Sequence, residues 1–185
     1  EGSVSDEAVL RVPGAALWSP ASPNLYDLTV ELVRNGEAFD RYTLPIGIRT
    51  ITVDGDKLLL NGEPIMLRGF GRHEDFPVAG RGYLPAVVIK DYALMKWVGA
   101  NSFRTTHYPY SEQMMDLADR LGFLVIDETP AVGLFFYGDE NYLKQRLALC
   151  RKYAQELIAR DKNHPSIIMW SGANEPPSAY PAAKS

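Results

Sequence analysis

The sequence predicts an α/β protein: the first half of a (β/α)8 barrel, strands 1 to 4, preceded by part of an antiparallel β-sandwich. Three observations carry that prediction. Turn pairs such as Asn35-Gly36 break up strand-like runs in the first fifty residues, short apolar strands alternate with helical stretches from Met66 onward, and four such strands all end in ionisable residues. The division that follows is a sandwich part over 1–52 and a barrel half over 53–185. A four-stranded open α/β sheet is the structural rival, and it too would gather ligands at the carboxyl ends of its strands.

The elements are expected in this order. AVLRVP, LYDLTVEL and FDRYTLPIGIRTI read as strands, the last two joined at Asn35-Gly36, the dipeptide that most favours a two-residue hairpin turn. TVDGDKLLLNGEPIML, with turn signals at Asp54-Gly55 and Asn61-Gly62, reads as a second hairpin. IMLRGF, ANSFRT, FLVIDE and SIIMWS follow as short, fully apolar strands, the pattern of a parallel sheet covered by helices. Between them, Val88, Tyr92, Met95 and Val98 share one helix face, and Met114, Leu117, Ala118 and Leu121 share the next. Leu143, Leu147, Ala154, Leu157 and Ile158 form the third stripe. Ser111 stands at an N-cap position and Gly122 where a helix-ending glycine belongs. A complete barrel would need roughly 250 residues, so four strands make half of one with open first and last edges.

Bulk properties exclude several classes. With 46% hydrophobic and 23% charged residues the 185-residue chain has ordinary globular composition. A net charge of -4 without a basic run leaves no footprint for nucleic acid. No segment reaches the roughly 20 apolar residues of a membrane helix, and EGSVSDEAVL lacks the blocks of a signal peptide. The single Cys150 cannot form an intrachain disulfide, which fits a cytoplasmic protein and leaves a secreted or periplasmic one open. Three histidines at these spacings suggest no metal site, and no cofactor motif is present: GFGRHED lacks the third glycine of a dinucleotide loop. Without an opening Met, and with PSAYPAAKS closing no element, the chain reads as an excerpt of a longer one.

The informative residues stand at the strand ends. GFGRHED brings Arg72, His73, Glu74 and Asp75; RTTHYPY brings Arg104 and His107; IDETP brings Asp127 and Glu128; WSGANEPP brings Asn174 and Glu175. In a barrel these tips meet around one mouth, where reactive groups gather. Tyr108 and Tyr110 fit either packing or an aromatic wall against a sugar face. His164 precedes the fourth strand and belongs to the opposite end. There is no nucleophile elbow, so carboxylates supported by amide, His and Arg remain, the equipment of glycoside hydrolysis.

NSFRTTHYP at 101–109, LADRLGFLVIDE at 117–128 and DKNHPSIIMWSGANE at 161–175 resemble the signature stretches of glycoside hydrolase family 2. LWSPASPNLYDLTV at 17–30 resembles the end of that family's immunoglobulin-like domain, so the resemblance covers nearly the whole chain. GFGRHED and the HYPYSEQMMDLADRLG run look more like the family's β-glucuronidases than its β-galactosidases. AGRGYL at 79–84 departs from their RGKGFD-like string, ending in Leu84 instead of Asp.

The resemblance implies a retaining β-glycosidase acting on a carbohydrate or glycoside. Glu175 would be the acid/base, Asn174 the holder of the sugar's 2-hydroxyl, and His107 and His73 the lining of the sugar pocket. Arg104, Asp127, Glu128 and Tyr108 would support them. The nucleophilic carboxylate is expected beyond Ser185, so the 185 residues alone are expected to be inactive and the intact parent to be a homo-oligomer. Galactose or mannose specificity, or a non-catalytic carbohydrate-binding module, are the alternatives.

Overall fold

The computed structural model describes residues 9–133 and 139–176. Strand β1 (Tyr26–Arg34) and strand β2 (Glu37–Ile46) form an antiparallel hairpin. Its turn residues Asn35 and Gly36 both take positive φ, 54° and 83°, as a type I′ turn requires. Both faces of the hairpin are open: Val30, Leu32, Phe39 and Tyr42 are all more than half exposed. The strand expected over AVLRVP is absent from residues 9–13. No neighbouring strand among the described residues takes up its backbone N–H and C=O groups, and without a ladder a strand does not persist.

β3 (Ile51–Asp54), β4 (Lys57–Leu60) and β5 (Glu63–Pro64) form a three-stranded antiparallel meander, one strand more than the expected hairpin. Asn61-Gly62 supplies the second turn with φ of 55° and 84°. The meander plugs the base of the next unit, where Leu60, Trp18 and Leu124 make a small buried cluster with Ile51, Leu67 and Ile168 around it. Trp18 donates its indole N–H to the Asp119 carbonyl (2.8 Å), and Arg49 donates to the carbonyls of Pro165 (2.9 Å) and Ile167 (2.5 Å). These contacts tie the hairpin end of the chain to the floor of the sheet.

The main body is a four-stranded parallel sheet, β6 (Gly69–Arg72), β7 (Ser102–Thr105), β8 (Leu124–Glu128) and β9 (Ile167–Ser171), in sequential order. The first strand starts four residues later than expected, because Ile65 and Leu67 belong to the floor cluster. Helices α1 (Pro85–Trp97), α2 (Glu112–Leu121) and α3 (Glu140–Asp161) make the crossovers. One side of the sheet packs on α1 and α2 through Val88, Tyr92, Met114, Phe103, Phe123 and Val125, all at most 2% exposed. The other side is an open concavity of about 370 Å³ lined by Gly69, Gly71, Ser102, Arg104 and Ile126. Edge strands β6 and β9 pair on one side only.

Several local expectations change. Val98 is 55% exposed, since it lies at the C-cap of α1 where the chain turns out through Gly99 at φ 80°. Ser111 occupies the N-cap position of α2, yet its hydroxyl goes to Glu74 (2.5 Å) instead of its own helix. In α3 only Leu157 of the expected stripe is buried and Ile158 is 40% exposed, because the sheet stops at β9 and offers one flank of the helix no neighbour. Asp139 caps α3, accepting the Tyr142 N–H at 2.9 Å. Among the described residues no helix is long and apolar enough to cross a membrane.

Candidate active site

Successive side chains of a strand face opposite sides of a sheet, which decides who reaches the mouth. On β7 and β8, Arg104 and Glu128 face the open concavity while Thr105 and Asp127 face the helices; the registers that align Gly71 with Arg104 and Arg104 with Ile126 set this. Glu128 is fully buried. Its Oε1 accepts from His107 Nδ1 at 3.0 Å, and its Oε2 accepts from Ser171 Oγ at 2.6 Å and lies 3.2 Å from Arg104 Nε. The Arg104 contact is ionic without an aligned hydrogen bond, since that N–H has no acceptor in line. With Nδ1 donating to Glu128, the remaining polar atom of the His107 ring is Nε2, free for a ligand.

Arg104 also reaches across the sheet to the last strand. Its Nη2 donates to Asn174 Oδ1 at 3.0 Å, and Asn174 N–H donates to the Ala131 carbonyl at 2.9 Å. Thr129 ties the same loops together through Ser171 O (3.0 Å) and Gly172 O (2.7 Å). His73 stacks edge-on against His107 with ring centroids 5.3 Å apart, and Tyr108 lies 6.1 Å from His73 with the Arg81 guanidinium 3.8 Å from the centroid of its own ring. Three strand ends therefore meet in one network: Arg104 and His107 from β7, Glu128 from β8, Asn174 beyond β9. Glu175 stands exposed beside Asn174 with φ of 46°, a left-handed conformation that costs an ordinary residue about 1 kcal/mol or more and is found preferentially at functional sites.

Other tip residues turn away from the mouth. Arg72 pairs with Asp91 (2.7 Å) against the rings of Tyr92 and Tyr110, and Glu74 is buried, accepting from the Ser111 N–H (3.0 Å) and hydroxyl. Tyr110 is core, 1% exposed, whereas Tyr108 is half-buried. Asp127 lies on the helix side, accepting from Thr105 Oγ1 at 3.0 Å. Burial above all, then the charge and hydrogen bond of Asp161, push its pKa up to about 7, against the opposing pull of Thr105 and Arg160. His164 sits at the other end, donating from Nδ1 to Asp119 Oδ2 at 2.6 Å. Asp116, Asp119 and His164 bring their polar atoms within 4.8 Å of one another, a cluster that linear spacing does not disclose. Both Asp119 oxygens are already taken, by His164 and by the Ser166 N–H (3.0 Å), and the group acts as a structural ion pair.

The sequence from 51 to 184 matches the model for "Glycosyl hydrolases family 2, TIM barrel domain", and 1 to 49 matches "Glycosyl hydrolases family 2". The chain belongs to glycosyl hydrolases family 2. Among curated members, the β-glucuronidase of Paenibacillus borealis is 49% identical over 174 residues, covering 90% of this chain and 29% of that protein. The β-glucuronidase of Mus musculus is 45% identical over 187 residues, covering 96% of this chain and 28% of that protein. A Ruminococcus gnavus β-glucuronidase solved in complex with a C6-substituted uronic isofagomine superposes with a TM-score of 0.90 at 43% identity, covering 94% of this chain and 30% of that one. This family 2 chain thus spans under a third of the length of the relatives it matches, and its parallel sheet is the start of the family's barrel.

Proposed function

We propose that this chain is the acid/base-bearing part of a retaining β-glycosidase, a β-glucuronidase, in which Glu175 protonates the glycosidic oxygen. The observation that carries the reading is the Arg104 network, which gathers Glu128, His107 and Asn174 from three strand ends next to an exposed, left-handed Glu175. Asn174, its Oδ1 held by Arg104, has its amide N–H groups left to hold a sugar 2-hydroxyl, a hydrogen bond that strengthens as the oxocarbenium ion forms. His107 and His73 line the sugar pocket with Tyr108 as the wall beside them. The similarity to β-glucuronidases from a bacterium and a mammal supports the uronic sugar.

Retention needs a second carboxylate roughly 5 to 5.5 Å from the acid/base. Glu128 is buried with both oxygens engaged, and Asp127 faces the helices, so neither is free to attack an anomeric carbon. That nucleophile belongs to the full-length protein that carries this chain. There, Glu175→Gln should lower kcat/KM on p-nitrophenyl β-glucuronide by about 10²- to 10⁴-fold, the range for loss of a general acid/base. A variant as active as wild type would overturn the assignment, and a preference for the galactoside or mannoside within the same aryl panel would overturn the sugar.

A further inference from the structure

Behind the mouth, on the helix side of β8, lies a pair of carboxyls that the proposed chemistry does not use. Asp127 and Asp161 are both completely buried. Arg160 grips Asp161 with a two-pronged fork, Nε to Oδ1 and Nη2 to Oδ2, each 2.6 Å, and the same Nη2 donates to the Tyr110 carbonyl at 2.8 Å. Asp127 has no such cation. Its Oδ1 accepts from Thr105, and its Oδ2 has no hydrogen-bond partner among the described residues when both carboxyls are counted as ionised. A buried carboxylate oxygen left bare beside a second carboxylate is an arrangement that water-free surroundings do not tolerate.

One proton resolves it. We infer that Asp127 carries a proton on Oδ2 and donates it to Asp161, and that this shared proton makes Asp127 a positioning residue for the mouth. The proposal rests on the glycosidase reading for its catalytic consequence and on the carboxyl pair alone for the proton.

The route to the mouth is short. Thr105 Oγ1 donates to Asp127 Oδ1 and accepts the backbone N–H of Glu128 at 2.8 Å. Glu128 then holds His107 and Arg104, and Arg104 holds Asn174. Thr105 and Asp127 follow the paired Arg104 and Ile126 on β7 and β8, so the hydroxyl stands level with the Asp127 carboxyl and within reach of the next amide, that of Glu128. The charged and titratable groups facing Asp127 are Asp161 and Arg160 of α3, with Glu112 of α2 behind Arg160; β7 contributes only the Thr105 hydroxyl. Loss of the shared proton puts two negative carboxylates side by side with one guanidinium, already committed to Asp161. The pair separates, Thr105 reorients, and the Glu128 amide loses the acceptor that fixes it. The ionisation sits at about 7, so the mouth is held in its working geometry on the acid side of neutrality and released on the alkaline side.

Two measurements on the full-length protein test this. Asp127→Asn keeps a donor toward Asp161 and an acceptor for Thr105, and so mimics the protonated state. In thermal unfolding between pH 4 and 8, wild type should lose stability with rising pH through the window from 3.8 to about 7, because the folded Asp127 binds a proton that the unfolded one has released. D127N should lack that decline; equal slopes would overturn the shared proton. In the pH profile of kcat/KM on an aryl β-glycoside, D127N should stay within about threefold of wild type on the acid side and lose the limb near neutrality. An unchanged limb would overturn the positioning role, since a purely structural aspartate would alter stability without moving it. If D127N does not fold, Asp161→Asn serves in its place, removing the second carboxylate and shifting the same limb. Should wild type cleave no glycoside at all, the glycosidase reading fails while the unfolding comparison still decides the proton.

Discussion

Replacing Glu128 by Gln tests the network that joins the strand ends. The change keeps shape and removes charge: the amide oxygen still accepts from one of Ser171 and His107 and the other turns to accept from the NH2, but the Arg104 guanidinium at 3.2 Å loses its counter-ion. Breaking a fully buried pair costs about 3–5 kcal/mol, while an exposed pair contributes at most about 1 kcal/mol. Here Glu128 is wholly buried and Arg104 is 38% exposed, so water takes over part of the guanidinium's solvation. The expected loss lies between those limits, about 2 kcal/mol, which for a chain of this size lowers the unfolding midpoint by about 4–8 °C. Thermal unfolding at pH 7, followed by near-ultraviolet circular dichroism, measures it. The loss should shrink when Arg104→Met is already present, because the two side chains share one interaction. An E128Q protein as stable as wild type, or a loss fully additive with R104M, would refute the claim that this ion pair holds the mouth together.

Two further outcomes follow from the floor of the sheet. Gly122 ends α2 at φ 72°, and a Cβ there would run into the Pro20 backbone, so Gly122→Ala should destabilise by about 2 kcal/mol or more, whereas Gly14→Ala, at φ 65° in open space, should cost only about 1 kcal/mol; chemical denaturation of the two variants compares them. For His164, burial alone would lower the pKa, but the hydrogen bond and charge of Asp119, reinforced by Asp161 and Asp116, leave it raised above 6.5. Stability from the charged His164–Asp119 pair is therefore fully present below the unfolded pKa and is lost as pH rises through the higher folded one. The gap in unfolding midpoint between wild type and His164→Gln should narrow from pH 6 to pH 8.5; a gap that widens would contradict the pair.

The parts of the fold legible in the sequence are those whose cause is local. Asn35-Gly36 and Asn61-Gly62 are turns because two successive residues must take positive φ, and that demand is visible in the dipeptide. The stripes of α1 and α2 are legible because both helices bury one face against the sheet. Long-range causes leave no such trace. AVLRVP has the composition of a strand but depends on a partner, and the α3 stripe depends on a sheet that continues past β9. At the mouth, Asn174 and Arg104 stand 70 residues apart, and only the family's signature stretches link them. Which of the two adjacent supporting carboxylates reaches the mouth is legible only in part: Asp127 and Glu128 are neighbours on a strand, so alternation sends one to each side of the sheet without saying which. Asp161, by contrast, sits at the foot of a helix among charged neighbours, and nothing in its local sequence marks it as Asp127's partner.

Alternation also explains why the site depends on strand register. A slip of one residue in β8 against β7 would carry Asp127 into the concavity and send Glu128 into the helix layer, parting its carboxylate from the Arg104 guanidinium and setting it in the apolar layer of Phe103 and Phe123. Apolar side chains alone resist such a slip through burial. One polar device resists it as well. Thr105 accepts the Glu128 N–H and donates to Asp127, a clasp that closes only when those residues are level. On the other flank, a Cβ at Gly69 would collide with the Ser102 carbonyl, so β6 can lie this close to β7 only with glycine at that position. The group that fixes the β7–β8 register is thus bonded directly to a group that lines the mouth, and a substitution at Thr105 reaches the Arg104 network through the Glu128 amide while leaving that network's own side chains unaltered.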